Sequence, residues 1–256
     1  MVILAGGYGT RISEESYLKP KPMIEIGEKP ILWHIMKEAY SYGIDEFIIC
    51  AGYKQHIIKE WFSNYFLYNS DITFDCGQEN KIVIHNKKVE SWKVTVVDTG
   101  LNTMTGGRIK RVESYIGNDP FLVTYGDAVS NINIAELLDF HKKNRRIGTI
   151  SMYNFAQNKG VVDIGKNGEI LDFREKSDLD GDLINIGYMV FQPEIFRYID
   201  GDFTMLEREI MHRLLAEKQL VGYVHKGFWQ CMDTLREKNQ LEQMWEQDEV
   251  PWKTWV

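Results

Sequence analysis

Cysteine is scarce in this chain: only Cys50, Cys76 and Cys231 occur among 256 residues. Three thiols, odd in number and widely spaced, support neither a disulfide framework nor a zinc ligand set, and fit a reduced, cytoplasmic compartment. The six histidines show no paired spacing for a metal, and no serine or cysteine stands in a nucleophile elbow. A covalent hydrolase mechanism therefore has no support. Basic charge is in deficit as well, with 30 Lys and Arg against 37 Asp and Glu and a net charge of -7. That balance excludes an electrostatic footprint for nucleic acid. No apolar run approaches membrane-spanning length, and the opening Val2-Ile3-Leu4 reads as a strand rather than as a signal peptide. No Pro- or Ser-rich linker and no internal repeat interrupts the chain, so residues 1–256 read as one domain.

What is present begins at once. Leu4-Ala5-Gly6-Gly7-Tyr8-Gly9-Thr10-Arg11 follows the first strand, and Lys19-Pro20-Lys21-Pro22-Met23 lies just beyond it. Glycines after a short apolar strand let backbone N–H groups approach a polyphosphate without Cβ obstruction, while Arg11 and Lys21 supply charge. The loop is not a Walker motif, because Thr10-Arg11 stands where Lys-Ser or Lys-Thr belongs. Nor is it a dinucleotide fingerprint, because Ile12 occupies the place of the third glycine. A bland strand-to-turn cluster would need no cations beside it. The combination points to an enzyme acting on a nucleoside triphosphate.

The rest of the chain alternates. Helical spacing is seen from Pro30 to Gly43, over Ile57–Tyr65, over Ile109–Tyr115 and over Ile134–Lys143. Apolar strands are expected at Phe47–Cys50, Lys93–Asp98, Phe121–Tyr125 and Gly148–Tyr153. This rhythm predicts an α/β fold with a mostly parallel central sheet flanked by helices. Residues 68–92 break it and read as a β-rich insertion. A hairpin is expected around Gly165–Gly168 and a strand over Ile184–Phe191. Residues 204–256 read as a C-terminal helical part with two short helices.

In an open parallel sheet, ligands gather beyond the carboxyl ends of the strands. Asp127, after Gly126 at the end of Phe121–Tyr125, reads equally as a Mg²⁺ ligand or as a turn cap. Asp233 reads as a helix N-cap or as a second carboxylate for the same site. Thr105-Gly106-Gly107-Arg108 either places Arg108 near the nucleotide or simply caps a following helix. Glu175-Lys176 reads as a surface pair, or as a carboxylate for sugar hydroxyls beside a phosphate-binding ammonium.

Taken together, Leu-Ala-Gly-Gly-x-Gly-Thr-Arg with the downstream Pro-Lys-Pro resembles the sugar-1-phosphate nucleotidyltransferases. Further matching patches, among them Ser13–Glu15, Lys19–Gly27, Met104–Arg108, Thr124–Asp127, Gly227–Arg236 and Pro251–Trp255, extend the resemblance along the whole chain. It departs at Tyr8, where the family commonly has an aliphatic residue, and after Lys176, where a proline often follows. The resemblance implies a Rossmann-like nucleotidyltransferase fold and, in its finer details, transfer of a cytidylyl group from CTP to α-D-glucose 1-phosphate with Mg²⁺. Uridylyl, thymidylyl or adenylyl transfer is the alternative, and a non-catalytic nucleotide-sensing subunit the remote one. It further implies that Leu4, Ala5, Gly6, Gly7, Gly9, Thr10 and Arg11, with Lys21, Thr103, Arg108 and Gly126, bind the nucleotide. Arg11, Lys21, Asp127 and Asp233 would be catalytic, the two aspartates sharing the metal. Glu175, Lys176, Asn185 and Gly187 would hold the sugar phosphate. A homo-oligomer is expected.

Overall fold

The computed structural model describes residues 1–77, 81–85, 89–155, 161–164, 169–174 and 182–255. Its centre is a seven-stranded sheet built from β1 (Val2–Ala5), β2 (Glu46–Ala51), β3 (Lys93–Asp98), β4 (Phe121–Tyr125), β5 (Gly148–Phe155), β6 (Asp182–Phe191) and β7 (Leu220–His225), in the spatial order β7-β5-β6-β4-β1-β2-β3. β1 pairs in parallel with β2 and β4, β2 with β3, and β5 with β7, whereas β6 runs antiparallel to both of its neighbours. The expected mostly parallel sheet is therefore present.

The short apolar runs become strands because both faces of the sheet are covered. Ile3 and Ala5 of β1, with Phe47 and Ile49 of β2, pack under the helices Ile31–Ser41, Gln55–Tyr68, Ile134–Asn144 and Leu235–Glu246. Val2 and Leu4, with Ile48 and Cys50, face a second core formed with helix Thr105–Arg111, the 3-10 turn Pro193–Tyr198 and the segment Leu206–Ala216. Alternate residues of one strand thus anchor opposite layers, and each buried aliphatic side chain contributes on the order of 1.5–3 kcal/mol. Within residues 68–92, Ile72–Asp75 pairs antiparallel with Lys81–Ile84 as a first hairpin. A second hairpin pairs Val161–Ile164 with Ile170–Arg174, and the expected turn 165–168 between them lies outside the described residues.

Two expectations need correction. The helix expected over Ile109–Tyr115 begins earlier, at Thr105, and ends at Arg111, with a separate 3-10 turn at Glu113–Tyr115. Gly106 and Gly107 are poor helix formers, but tertiary contact overrides propensity here. A Cβ on Gly106 would stand 2.7 Å from the Thr204 carbonyl oxygen, and one on Gly107 2.5 Å from that of Asp202. The C-terminal part is not solely helical. Between its helices lie β7, an edge strand of the central sheet, and Trp229–Cys231, which pairs antiparallel with Ala128–Ser130. Its first helix also opens with a π-helical turn, Leu206–Ile210.

Candidate active site

The chain leaves β1 toward β2 on one side, while β4 pairs on the other. A cavity of about 560 Å³ opens at this switch point, beyond the carboxyl ends of β1 and β4. Its walls include the whole loop Leu4–Arg11, Lys21, Thr103, Arg108, Gly126, Asp127 and Asp233. The Gly126 N–H donates to the Leu4 carbonyl at 3.0 Å and ties the two loops together. Gly9 adopts the left-handed conformation, with φ 66°, and its carbonyl accepts from Ser16 Oγ at 2.9 Å. The loop so turned lines the cavity along its whole length.

Asp127 and Asp233 come together through the short ladder Ala128–Ser130 with Trp229–Cys231, and the Met232 N–H donates to the Asp127 carbonyl at 2.9 Å. The cap of the last helix is Thr234, not Asp233. Thr234 and Glu237 form a capping box, and Glu237 also accepts from the Asp233 N–H at 2.8 Å. The Asp233 carboxylate is thereby left for the cavity. Lys21 Nζ donates to Asp127 at 2.6 Å and to Asp233 Oδ1, while Arg11 donates to Asp233 Oδ2. Burial disfavours the ammonium of Lys21, but the two carboxylates outweigh that cost and hold its pKa above the usual lysine value.

Arg108 lies in another wall of the cavity, also buried, and among the described residues it donates to no carboxylate. Its guanidinium donates to Thr99 Oγ1 at 2.8 Å and to the carbonyls of Gly100 at 2.7 Å, Gly6 at 3.1 Å and Leu101 at 3.2 Å. Burial lowers its pKa. It stitches the glycine loop to the loop after β3, and Gly6 is required for its passage, since a Cβ there would lie 2.0 Å from Nη1.

Other contacts around this wall escaped the sequence reading. Tyr8 donates to Asn102 at 2.9 Å and packs against Tyr53, with ring centroids 5.4 Å apart. Tyr125 and Thr105 both donate to Glu207, the latter at 2.6 Å. The position of Tyr125, two residues before Asp127 at a strand end, was the one available signal. Of the expected sugar-phosphate residues, Asn185 and Gly187 sit on β6 and do not line the cavity. Gly187 backs the ring of Tyr125, and Asn185 Oδ1 accepts from the Gly187 N–H at 3.0 Å. Glu175 and Lys176 lie outside the described residues.

A glycine loop facing paired carboxylates and cations across a nucleotide-sized cavity is the pattern that comparison with known proteins tests. The family model described as nucleotidyl transferase matches residues 1–236. The chain belongs to the nucleotidyl transferase family. This nucleotidyltransferase is 50% identical over 255 residues to the glucose-1-phosphate cytidylyltransferase of Salmonella typhimurium, covering 99% of this chain and 98% of that one. It is 29% identical to the mannose-1-phosphate guanyltransferase of Saccharomyces cerevisiae, over 94% of this chain and 62% of that one. In fold it is similar to a UDP-glucose pyrophosphorylase solved with UDP-glucose, with a TM-score of 0.69, 19% identity, and coverage of 96% of this chain and 98% of the other. Among the described residues no helix of this nucleotidyltransferase is long and apolar enough to cross a membrane.

Proposed function

We propose that this nucleotidyltransferase joins CTP and α-D-glucose 1-phosphate to give CDP-glucose and pyrophosphate. The observation that carries the chemistry is the juxtaposition of Lys21, Asp127 and Asp233 across the cavity from the loop Leu4–Arg11. Likeness to the Salmonella enzyme supports the choice of base and sugar.

In this reading the loop amides of Leu4–Thr10, with Thr103 and Gly126, surround the base, ribose and phosphates. Arg108, in the cavity wall, joins them on the nucleotide and holds the loop in shape. The sugar phosphate is already an anion at neutral pH, so no general base is required. Its oxygen attacks the α-phosphorus in line, a new P–O bond forms, and the bond to pyrophosphate breaks with inversion. Arg11 and Lys21 offset the charge that develops on the transferring phosphoryl and the leaving group. The donor set suits Mg²⁺: Asp127 and Asp233 already converge on a single cation, the Lys21 ammonium, and hard oxygen ligands are what that ion takes. Held by these two carboxylates, it supplies further neutralisation of the phosphoryl oxygens. Glu175, Lys176, Asn185 and Gly187 remain the residues proposed for the sugar phosphate. A homo-oligomer is part of the proposal, supported by the hairpin that exposes Phe74 and Ile82. Light scattering during gel filtration tests it, and a monomer overturns it.

The reaction is tested by incubating the protein with glucose 1-phosphate, Mg²⁺ and each of the four nucleoside triphosphates in turn. Pyrophosphate should be released with the highest kcat/KM from CTP. Preference for another triphosphate overturns the base assignment, and release from none overturns the reaction.

A further inference from the structure

We propose that Lys21 is the resident counter-ion of the carboxylate pair: in the nucleotide-free chain its ammonium occupies the point that Asp127 and Asp233 share, so a divalent cation binds only when a triphosphate draws Lys21 and Arg11 away. This inference rests on the transferase reading and adds an order of assembly to it, nucleotide before or together with metal.

Charge is the first argument. Two carboxylates face one ammonium and one guanidinium, and every close pairing is made: Lys21 to Asp127 at 2.6 Å, Lys21 to one oxygen of Asp233, and Arg11 to the other. The cluster is neutral as it stands. A free dication entering it would meet carboxylates already compensated and an ammonium at contact distance. A triphosphate brings roughly four negative charges, which take over the two cations and leave the carboxylates uncompensated.

Ligand number is the second argument. Among the described residues no group of three or more His, Cys, Asp or Glu is arranged to hold a metal ion. Two carboxylates fill a minority of an octahedral shell, and an ion such as Mg²⁺ takes the rest from phosphate and water.

Mobility is the third. The backbones that carry the carboxylates are tied down, Asp127 by the Met232 N–H on its carbonyl and Asp233 by its own N–H to Glu237 of the capping box. The Lys21 carbonyl is held likewise by the Ile24 N–H at 3.0 Å, so the difference lies in the side chains: long flexible stems on Lys21 and Arg11 against a single methylene on each aspartate. The Arg11 side chain is 75% exposed. Lys21 is buried, but its stem runs beside the phosphate loop, with its Cβ 3.3 Å from where a Cβ of Gly9 would stand. Rotation about that stem carries the ammonium from the carboxylates toward the loop amides. Because coupling between two ligands is reciprocal, the factor by which nucleotide favours metal is the factor by which metal favours nucleotide.

The test is Mn²⁺ binding to the nucleotide-free protein, read by the electron paramagnetic resonance signal of unbound Mn²⁺. The wild type should bind Mn²⁺ weakly. Lys21→Met should tighten binding by about tenfold or more, and Arg11→Gln by a smaller factor of about two to five. Adding Asp127→Asn to Lys21→Met should abolish the gain. Thermal melting reports whether Lys21→Met folds; if it does not, the exposed Arg11→Gln variant decides in the same way. Tight Mn²⁺ binding by the wild type, or no gain in the folded variant, overturns the proposal. Neither result depends on turnover. A protein that releases no pyrophosphate yet shows the Mn²⁺ gain would lose the transferase reading and keep the counter-ion.

Discussion

Two buried cations line the cavity, and their partners differ in kind. Arg108 is surrounded by the Thr99 hydroxyl and by carbonyl oxygens, neutral dipoles of the glycine loop and of the loop after β3. Lys21 is surrounded by two carboxylates, which are carried on side chains. A cation held by backbone dipoles cannot be exchanged without opening the loops, so that wall is a scaffold. One held by carboxylates can be exchanged for another cation at little cost to the fold, so that wall is suited to chemistry.

The most direct way to break this comparison is Asp127→Asn. It should lower kcat by about 10²–10³-fold, the range seen when one electrostatic stabiliser is removed. The melting temperature should move little, because Asp233 still pairs Lys21; pyrophosphate release and calorimetry check the two halves. Arg108→Met should do the reverse. Orphaned carbonyls and a collapsed loop should cost about 3 kcal/mol in denaturant unfolding. Gly6→Ala should approach that loss by displacing the same guanidinium. Gly7→Ala is the control: a Cβ there meets nothing within 4 Å, so stability should hold while the KM for the triphosphate rises.

His34 sharpens the comparison as a buried ionisable group with no charged task. Its Nε2–H donates to the Ile26 carbonyl at 2.8 Å, and its Nδ1 accepts from Trp252 at 3.3 Å, amid the rings of Trp33, Trp245 and Trp255. Burial lowers its pKa to about 4, so the folded chain keeps it neutral while the unfolded chain protonates it below the ordinary value of 6.5. The unfolded state therefore binds more protons between these values, and stability must fall as pH falls through that window. Between pH 7.5 and 5 the wild type should lose about 2 kcal/mol more than His34→Gln, measured by urea unfolding at both pH values. The smallest effect is expected from Tyr8→Phe. Loss of the bond to Asn102 at the exposed rim should cost no more than about 1 kcal/mol and raise the KM for nucleotide slightly.

Much of the scaffold was legible. Pro30 and Gly43 bracket the first long helix, and apolar runs such as Phe121–Tyr125 mark buried strands, because 3.6- and two-residue periods record which side of an element is covered. β7 was missed because it lies at a sheet edge with Gly222 in its middle, where a Cβ would stand 2.2 Å from Met152 Cε. The helix start at Thr105 was missed because the glycines that weaken it locally are what allow it to dock. At the site, Arg11, Lys21 and both aspartates were named, whereas Asn102, Tyr125 and Glu207 carry no motif of their own and Tyr8 stood out only as a departure within the glycine loop. Arg108 was named for nucleotide contact and lines the cavity, but its bonds to the loop carbonyls carry no motif.

By itself, then, the sequence determined the alternation of strands and helices, the glycine loop, and the set of charged residues available for chemistry, since each is a matter of local pattern. Only the tertiary structure decided that Asp233 leaves capping to Thr234. It alone decided that Lys21 meets carboxylates 106 and 212 residues away, and that Arg108 ties the glycine loop to the loop after β3. The reason is physical: periodicity records which face of an element is buried, but which loops meet depends on strand order and pairing, and those are settled by packing of the whole sheet.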